Sequence, residues 1–293
     1  MVSDDPATDG GTVTAADSPG SVGGGGVGVA DRLVGAIRPN FFRVVVVLTL
    51  LFFDAPVLLI AYFSVGTTAQ PTFPIDGVTL RWYEAVLSDR RFVRGLVTST
   101  GIAVVVAVVG TALGAMAARS IVRSSLSRRV RGLLAAVIAL PLFVPTVVLA
   151  LGIGVFAGRI GLGFGLGPIL LGHLLWVLPF STFLLTARYA ELDPRLTGAA
   201  RDLGATDWVA FRTVTLPLLA PALVASTLFC FALSFNEFLI TYFLAGSGVT
   251  TMPLEIFDNV RTARVSVLNA ASTLVLLVSA VVAVVATRFE TPT

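Results

Sequence analysis

Side chains that could do chemistry are few and isolated in this sequence. The single histidine is His173, the single cysteine is Cys230, and all twenty cationic side chains are arginine. One histidine and one cysteine fall short of the ligand sets of zinc and haem sites. The absence of lysine from the sequence excludes a P-loop lysine and a Schiff base. We therefore predict no catalytic residues, no metal site and no cofactor in this chain, and any ATP that its work consumes must bind to another chain.

An acidic residue inside an apolar segment is the feature most able to act on a substrate. Glu237, preceded by Asn236, lies in the fifth long apolar segment. An ionisable group in the middle of a membrane costs roughly 2.5 kcal/mol or more unless it faces water or a partner. A carboxylate on a path through the membrane would attract a cationic amine, and Phe235, Phe238 and Tyr242 could add cation–π contacts. The alternative is that Glu237 pairs with an arginine or a polar group of a partner chain.

Other polar side chains in the apolar segments are open to plainer interpretations. Asp54 lies beside Pro56 in the first segment. It either lines the same path or hydrogen-bonds to the backbone groups that the proline leaves free. His173 and Trp176, three residues apart, are interpreted as packing or interface residues, and Cys230 as a small apolar residue.

The elements that hold these residues are predicted to be membrane-spanning helices. The 293 residues are 56% hydrophobic and 13% charged, with a mean hydropathy of +0.92, whereas soluble domains are about a quarter charged. Six apolar segments reach the roughly 20 residues that a membrane helix needs. They are Phe41–Val65, Leu96–Ala118, Gly132–Ala157, Ile169–Ala187, Leu218–Ala245 and Val267–Thr287. Pro141 and Pro145 in the third span and Pro179 in the fourth are expected to kink these helices.

Arginine positions indicate how the spans are oriented. The isoelectric point is about 9.6, but the arginines are spread along the ends of the apolar segments, which argues against a nucleic-acid-binding face. With the N-terminus inside, most arginines fall in inside segments, and five of them lie between Arg119 and Arg131. Because cytoplasmic loops carry the excess of arginine, both termini are predicted to be cytoplasmic.

Segments outside the spans divide the chain further. Residues 1–30 are mostly Gly, Ser, Thr, Asp and Ala, and are predicted to be a disordered cytoplasmic tail and not a signal peptide. Residues 31–92 contain the first span and an external loop, where Trp82 and Tyr83 predict a short amphipathic helix. That helix is interpreted as an anchor, with a substrate-docking role as the alternative. Residues 93–288 are predicted to be the core domain with five spans.

Residues 188–217, between the fourth and fifth spans, are far more polar than the spans around them. Asp193 can cap a helix that begins at Pro194. Gly204 is the kind of residue that follows a helix end. Thr206 can cap a second short helix, on which Trp208 and Phe211 share one face. Two short helices with an apolar knob would suit insertion into a groove of a partner protein.

The 188–217 loop resembles the cytoplasmic signature loop of ABC importer permeases. That loop reads E-A-A, three residues, G, nine residues, then I-x-L-P. The same spacing is kept here by Ala199, Ala200, Gly204, Leu216 and Pro217, while Gly198 replaces the Glu. The resemblance implies the type I ABC importer permease fold, an all-α membrane protein with six transmembrane helices and cytoplasmic coupling helices. It also implies that Trp208, Phe211 and the signature positions contact an ATPase subunit. Independently of the resemblance, Leu216-Pro217 is predicted to end the second short helix and to open the next span.

The fifth span and the segment after it resemble the permeases of spermidine/putrescine importers. The matching features are Leu233-Ser234 before the acidic position, Phe238, the glycines of Gly246–Gly248, Thr251-Met252-Pro253, and the run from Asn269 to Leu274. Asn236 replaces one of two acids, so permeases for aminoethylphosphonate, iron or a sugar stay as alternatives. The predicted substrate-pathway residues are Glu237, Asn236, Phe238, Tyr242 and Asp54.

The resemblance implies a set of partners. They are a second permease, expected to be a different chain, two ATPase subunits that bind ATP and Mg²⁺, and an external substrate-binding protein. Glu255 and Asp258 could contact the binding protein, but solvated loop acids are the preferred interpretation. An ion-driven secondary transporter would show inverted repeats and broken helices, and a membrane enzyme would need clustered polar residues in the spans. Neither pattern is visible in the sequence.

Overall fold

The computed structural model describes residues 28–260 and 265–287, with side chains from residue 41 onward except at 283, 286 and 287. Within these ranges the chain forms helices, turns and an isolated β-bridge between Gly66 and Val78. The helices are α1 (Gly28–Ser64), α2 (Arg81–Ser88), α3 (Arg90–Arg123), α4 (Arg128–Phe143), α5 (Thr146–Arg159), α6 (Leu166–Glu191), α7 (Pro194–Asp202), α8 (Asp207–Ala210), α9 (Leu216–Phe235), α10 (Leu239–Leu244), α11 (Met252–Val260) and α12 (Val265–Thr287), with a π-helical turn (Phe211–Thr215) before α9. The predicted tail, residues 1–30, lies outside the described residues except where α1 begins.

The chain divides at Pro56 into two units. The first unit includes the part of α1 up to Pro56, and the second runs from Val57 onward. In the first unit the described side chains, from Phe41 to Pro56, are all exposed in the isolated chain. All of the loop and helix-break features described below belong to the second unit.

Five of the described helices are long and apolar enough to cross a membrane. They are Phe41–Ser64 within α1, Arg90–Arg123, Leu166–Glu191, Asp207–Phe235 and Val265–Val282. A sixth span results if α4 and α5, which meet at an angle of 106°, are counted together. The prediction of an all-helical membrane protein with six apolar segments is therefore confirmed, with one of the six divided between two helices.

The third predicted span, Gly132–Ala157, is broken more sharply than the expected kink. Helix α4 ends at Phe143 and α5 begins at Thr146, with Pro145 as the residue that precedes α5. A proline disfavours helical geometry in the residue before it, and Val144 is extended (φ −95°, ψ 127°). Pro141 lies inside α4 without ending it, and Pro179 likewise lies inside α6.

The fifth predicted span, Leu218–Ala245, is wrong at both ends. Helix α9 ends at Phe235, and the chain becomes helical again only at Leu239. At the other end, α8, the π-helical turn and α9 form one continuous helix from Asp207 to Phe235. The prediction that Leu216-Pro217 stops the second short helix is therefore wrong as well. We call residues Asn236–Phe238 the helix break.

The second unit is centred on close packing of α3, α6 and α9. A Cβ atom at Gly110 of α3 would lie 2.8 Å from Cγ2 of Val177, and one at Gly114 would lie still closer to Oγ of Ser181. Side chains at these positions would clash, so glycine lets the backbone of α3 approach α6. Oγ of Ser181 is 2.9 Å from Oγ of Ser226, which ties α6 to α9 inside the core. These helices carry the 188–217 loop at one end.

The short amphipathic helix predicted before the second span is confirmed as α2. Nε1 of Trp82 donates a hydrogen bond to the Gly66 carbonyl oxygen at 2.7 Å, and the hydroxyl oxygens of Tyr83 and Ser64 are 2.6 Å apart. Val86 is buried against Ala270 and Ala271 of α12. Because its aromatic side chains are held by the chain itself, α2 fits the interpretation of an anchor.

Candidate functional site

The first half of the 188–217 loop forms α7 through local capping. The backbone N–H of Arg195 donates to Oδ1 of Asp193 at 2.9 Å, and Pro194 occupies the first helical position. After the helix, Gly204 has a φ of +88°, a backbone conformation that residues other than glycine rarely adopt. Its N–H donates to the carbonyl oxygen of Arg201 at 2.8 Å, and that of Ala205 donates to Ala200 at 3.0 Å. These two bonds form a Schellman motif, as the sequence predicted for a glycine there.

The second half of the loop is joined directly to a span. The N–H of Val209 donates to Oγ1 of Thr206 at 3.4 Å, so the predicted cap is present. The helix then passes through the π-helical turn into α9. This wider turn ends two residues before Pro217, which has no N–H to donate to the helix. Oδ1 of Asp207 accepts a hydrogen bond from Nε of Arg201 at 2.8 Å, which links the two short helices.

An apolar knob lies on the second half of the loop. Trp208 is 66% exposed, and its ring stacks on that of half-buried Phe211 at a centroid distance of 5.8 Å. The guanidinium carbon of Arg119, from α3, lies 5.3 Å from the centre of the Phe211 ring, within cation–π range. Leu203, at the end of α7, is 90% exposed. Sequence reasoning missed Leu203, although a leucine directly before a helix-terminating glycine is a readable signal.

The alanines and glycine of the signature positions present a smooth surface on α7. Ala199 is exposed and Ala200 is half-buried. A Cβ atom at Gly198 would meet nothing within 4 Å, so there is open space at the position where the signature pattern predicts a glutamate. The two remaining signature residues, Leu216 and Pro217, are exposed in the isolated chain and lie at the start of α9.

The helix break is held by hydrogen bonds from both of its polar residues. The N–H of Ile240 donates to Oε1 of Glu237 at 2.8 Å, so the half-buried carboxylate caps α10. Nδ2 of Asn236 donates to the carbonyl oxygen of Ala232 at 2.9 Å and to Oγ of Ser279, on α12, at 3.2 Å. Both residues were predicted to lie within a continuous span. Because both residues lie at a break and not inside a continuous helix, their side chains can make these hydrogen bonds.

An aromatic cluster follows the helix break. The rings of Phe238, Tyr242 and Phe257 lie with centroids between 4.9 and 5.7 Å apart. Tyr242 remains 44% exposed, whereas Phe235 is only 1% exposed. Phe235 instead stacks on Phe231 at a centroid distance of 5.6 Å. The expectation that Phe235 could contact a cation is therefore wrong, while Phe238 and Tyr242 are brought together beside Glu237.

His173 connects α6 to both sides of the helix break. Its side chain is 1% exposed. Nδ1 lies 2.8 Å from Oγ of Ser234, and Nε2 lies 3.0 Å from Oγ1 of Thr241. These contacts agree with the interpretation of His173 as a packing residue and not a ligand. Cys230 is fully buried in the core, as predicted for a small apolar residue.

The remaining candidate residues fall in separate places. Asp54 is an exposed side chain of α1 in the first unit, and its pathway role stays a prediction. Asp258 is exposed, but Glu255 is only 6% exposed, so the interpretation of Glu255 as a solvated loop acid is wrong. Its Oε1 accepts a hydrogen bond from Oγ1 of Thr250 at 2.7 Å. Within residues 28–260 and 265–287, no three His, Cys, Asp or Glu side chains group closely enough to hold a metal ion.

The long apolar helices, and the polar two-helix loop that joins two of them, fit a membrane transport protein. The chain belongs to the family of binding-protein-dependent transport system inner membrane components, whose sequence profile matches residues 110–291. It is thus an ABC importer permease, a multi-pass membrane protein of a family of transport components and not of enzymes.

Relatives within this family transport different solutes. The chain is 32% identical over 251 residues to the putrescine transport system permease protein PotI of Escherichia coli (strain K12), covering 82% of this chain and 87% of that protein. It is 30% identical over 230 residues to the trehalose transport system permease protein SugB of Mycobacterium tuberculosis (strain CDC 1551 / Oshkosh), covering 76% and 82%.

A solved structure shares the fold. A bacterial ABC transporter involved in the import of the acidic polysaccharide alginate matches with a TM-score of 0.68 at 15% sequence identity. The match covers 88% of this chain and 97% of that chain. At this identity the likeness concerns the fold alone.

Proposed function

We propose that this chain is the permease subunit of an ATP-driven importer that carries polyamines such as putrescine and spermidine into the cytoplasm. In this assembly it pairs with a second permease, receives substrate from an external binding protein, and contacts one of two ATPase subunits. The ATPases bind ATP and Mg²⁺, and this chain contributes no bond-breaking residue. The similarity to the putrescine permease of Escherichia coli supports the substrate class.

The observation that carries the proposal is the half-buried carboxylate of Glu237. In the described part of the chain it forms no ion pair, and its Oε1 accepts the Ile240 N–H. A partly desolvated carboxylate is stabilised by a cation that approaches it. The protonated amines of a polyamine supply that charge, and the neighbouring rings of Phe238 and Tyr242 offer cation–π contacts to the same substrate.

Movement of the pathway is proposed to start at the 188–217 loop. The exposed ring of Trp208 and the exposed side chain of Leu203 fit a groove on an ATPase subunit, where their apolar surface would be removed from water. Because the second half of the loop continues into α9, a shift of Trp208 moves the helix that ends at the helix break. ATP-driven approach of the two ATPases would thereby change the access of Glu237 to the two sides of the membrane. The arginine-rich segments support a cytoplasmic position for this loop and for both termini.

Uptake measurements test the substrate and the role of Glu237 together. The complete importer is reconstituted in vesicles with its ATPases and binding protein, and uptake of labelled putrescine and spermidine is compared with and without ATP. Glu237→Gln keeps an oxygen that can cap α10 but removes the charge, so we expect uptake to fall roughly tenfold or more. Glu84→Gln, which neutralises an exposed acid of α2, is the matched control and should transport normally.

Two results would contradict the proposal in different ways. ATP-dependent polyamine uptake that is equal in wild type and Glu237→Gln would remove the carboxylate from the pathway while keeping the substrate. Absence of polyamine uptake by a complex that hydrolyses ATP would reject the substrate.

A sugar is the second candidate substrate. The similarity to the trehalose permease SugB favours it, as does the exposed Asn236 in place of an acid. An amide and a single carboxylate can hydrogen-bond to sugar hydroxyls as well as to amines. Uptake of labelled trehalose that unlabelled trehalose inhibits and putrescine does not would favour this candidate.

A further inference from the structure

We propose that His173 is a positioning residue that sets the substrate selectivity of the pathway by holding together the two sides of the helix break. This inference rests on the proposed function of Glu237 and its neighbours as the substrate path. His173 itself touches no substrate. It acts through Ser234 and Thr241, the two residues to which its ring nitrogens are bonded.

The two hydrogen bonds lie on opposite sides of the break. Ser234 is in the last turn of α9, and Thr241 is in the first turn of α10. Glu237 and Phe238 lie between them in the chain, and Tyr242 follows directly. The imidazole on α6 therefore fixes the distance between the two helix ends from which the carboxylate and the aromatic rings project.

All three side chains are withdrawn from solvent, so water cannot replace either bond. His173 is 1% exposed, Ser234 is 3% exposed and Thr241 is fully buried. A neutral imidazole has one donor and one acceptor, and each hydroxyl can play the complementary role. The cluster is therefore satisfied without a charge, and loss of the ring leaves two buried hydroxyls unpaired, which costs more than the bonds themselves contribute.

Direct contact between α6 and α10 makes this arrangement stiff. A Cβ atom at Gly172, the neighbour of His173, would lie 2.5 Å from Cγ2 of Ile240 and 3.3 Å from Cδ1 of Ile153. Glycine at this position lets α10 pack on the α6 backbone. Ile240 is also the residue whose N–H donates to Glu237, so the cap of α10 and the imidazole contact are part of one packed unit.

Two conservative variants separate the two bonds. In His173→Asn the side-chain amide replaces Nδ1 and keeps the contact to Ser234, whereas in His173→Gln it replaces Nε2 and keeps the contact to Thr241. The experiment measures KM and the maximal rate for putrescine and spermidine in the reconstituted importer. We expect KM to rise about tenfold in both variants, as for loss of one buried hydrogen bond with its partner left unpaired, and the putrescine-to-spermidine preference to change at least about threefold.

Thr182→Val is the matched control. Thr182 lies on the same helix, is fully buried, and its Oγ1 has no hydrogen-bond partner in the described part of the chain. Its replacement should leave KM, selectivity and the amount of assembled complex unchanged. Variants of His173 that lower only the maximal rate or the amount of complex, with KM and selectivity equal to those of wild type, would overturn the inference, because a purely structural role predicts that pattern.

A readout that needs no substrate separates this inference from the proposed function. With Cys230→Ala removing the single cysteine, Asn236→Cys places a thiol at the exposed start of the helix break. We expect its labelling rate with a water-soluble maleimide to change several-fold when His173→Gln is added. An unchanged rate would overturn the positioning role, whatever the importer transports. Changed labelling, together with absence of polyamine transport by the wild-type complex, would reject only the substrate.

Discussion

Glycine at position 114 allows α3 and α6 to approach closely. A Cβ atom there would overlap Oγ of Ser181 and would lie 2.8 Å from its Cβ and 3.1 Å from its carbonyl carbon. The carbonyl carbon belongs to the backbone of α6, and the Cβ atom is bonded directly to that backbone, so neither atom can move aside easily. Ser181 in turn contacts Ser226, and the disturbance would reach α9.

Gly114→Ala should therefore destabilise the protein although alanine is the better helix former. Overpacking of this kind costs about 1–3 kcal/mol, and we expect a lower Tm for the detergent-solubilised chain in a thermal unfolding assay. Gly101→Ala, on the same helix, is the control because a Cβ atom there meets nothing within 4 Å. That substitution should be neutral or stabilising by up to about 1 kcal/mol. Equal Tm values for the two variants would show that α3 and α6 are not in the close contact described here.

Residue-level signals that act locally were predictable from sequence, and those that depend on distant packing were not. The caps at Asp193 and Thr206 and the turn at Gly204 each depend on neighbours within a few residues. Burial of Glu255 depends on α3, where a Cβ atom at Gly95 would lie only 3.2 Å from Cγ of Glu255. No pattern around Glu255 itself reports that approach.

At the scale of the helices, breaks in the spans were predictable where a local residue causes them and were missed where distant contacts stabilise them. The break between α4 and α5 coincides with Pro145, and the sequence indicated a disturbance there but not its size. The helix break contains neither proline nor glycine, and it is stabilised by a cap from Glu237 and by His173, 61 residues before Ser234. Hydropathy alone does not reveal this break, because apolar residues continue on both sides of Asn236 and Glu237. The reverse error occurred at Pro217, where a residue typical of a helix boundary is accommodated by a π-helical turn.

The continuity of α8 with α9 leads to a prediction for coupling. Trp208→Ala combined with Phe211→Ala removes the apolar knob, and neither residue belongs to the buried core. We expect membrane insertion and the amount of the protein to be normal. ATP-dependent uptake should fall at least roughly tenfold, because the ATPase loses its main apolar contact with the loop that continues into α9. Uptake and ATP hydrolysis would be measured in the same vesicles.

The control for this pair lies in the same turn. Thr213 is exposed, and its hydroxyl only donates to the carbonyl oxygen of Val209, at 2.7 Å. Thr213→Ala should transport normally. Normal uptake by the Trp208, Phe211 double variant would instead exclude this knob as the docking element.

At the scale of the whole second unit, loops that the arginine pattern assigns to one side of the membrane contact one another. The N–H of Gly165, before α6, donates to the carbonyl oxygen of Leu244 at the end of α10, at 2.8 Å. At the other end of α6, Nη2 of Arg123, the last residue of α3, donates to the carbonyl oxygen of Tyr189 at 3.2 Å. These two contacts agree with the loop pairing that the arginine pattern predicts, and the arginine count predicts which side is cytoplasmic.

Thiol labelling from outside intact cells tests that sidedness. In a Cys230→Ala background, single cysteines are introduced at Ser125, between α3 and α4, and at Ser247, after α10; both positions are exposed in turns. We expect a membrane-impermeant maleimide to label Ser247→Cys and to leave Ser125→Cys unlabelled until the membrane is opened, because Ser125 lies among the arginines that remain on the cytoplasmic side. The opened membranes serve as the control that both thiols are reactive. The opposite pattern would invert the orientation, and it would place the 188–217 loop where no ATPase could reach it.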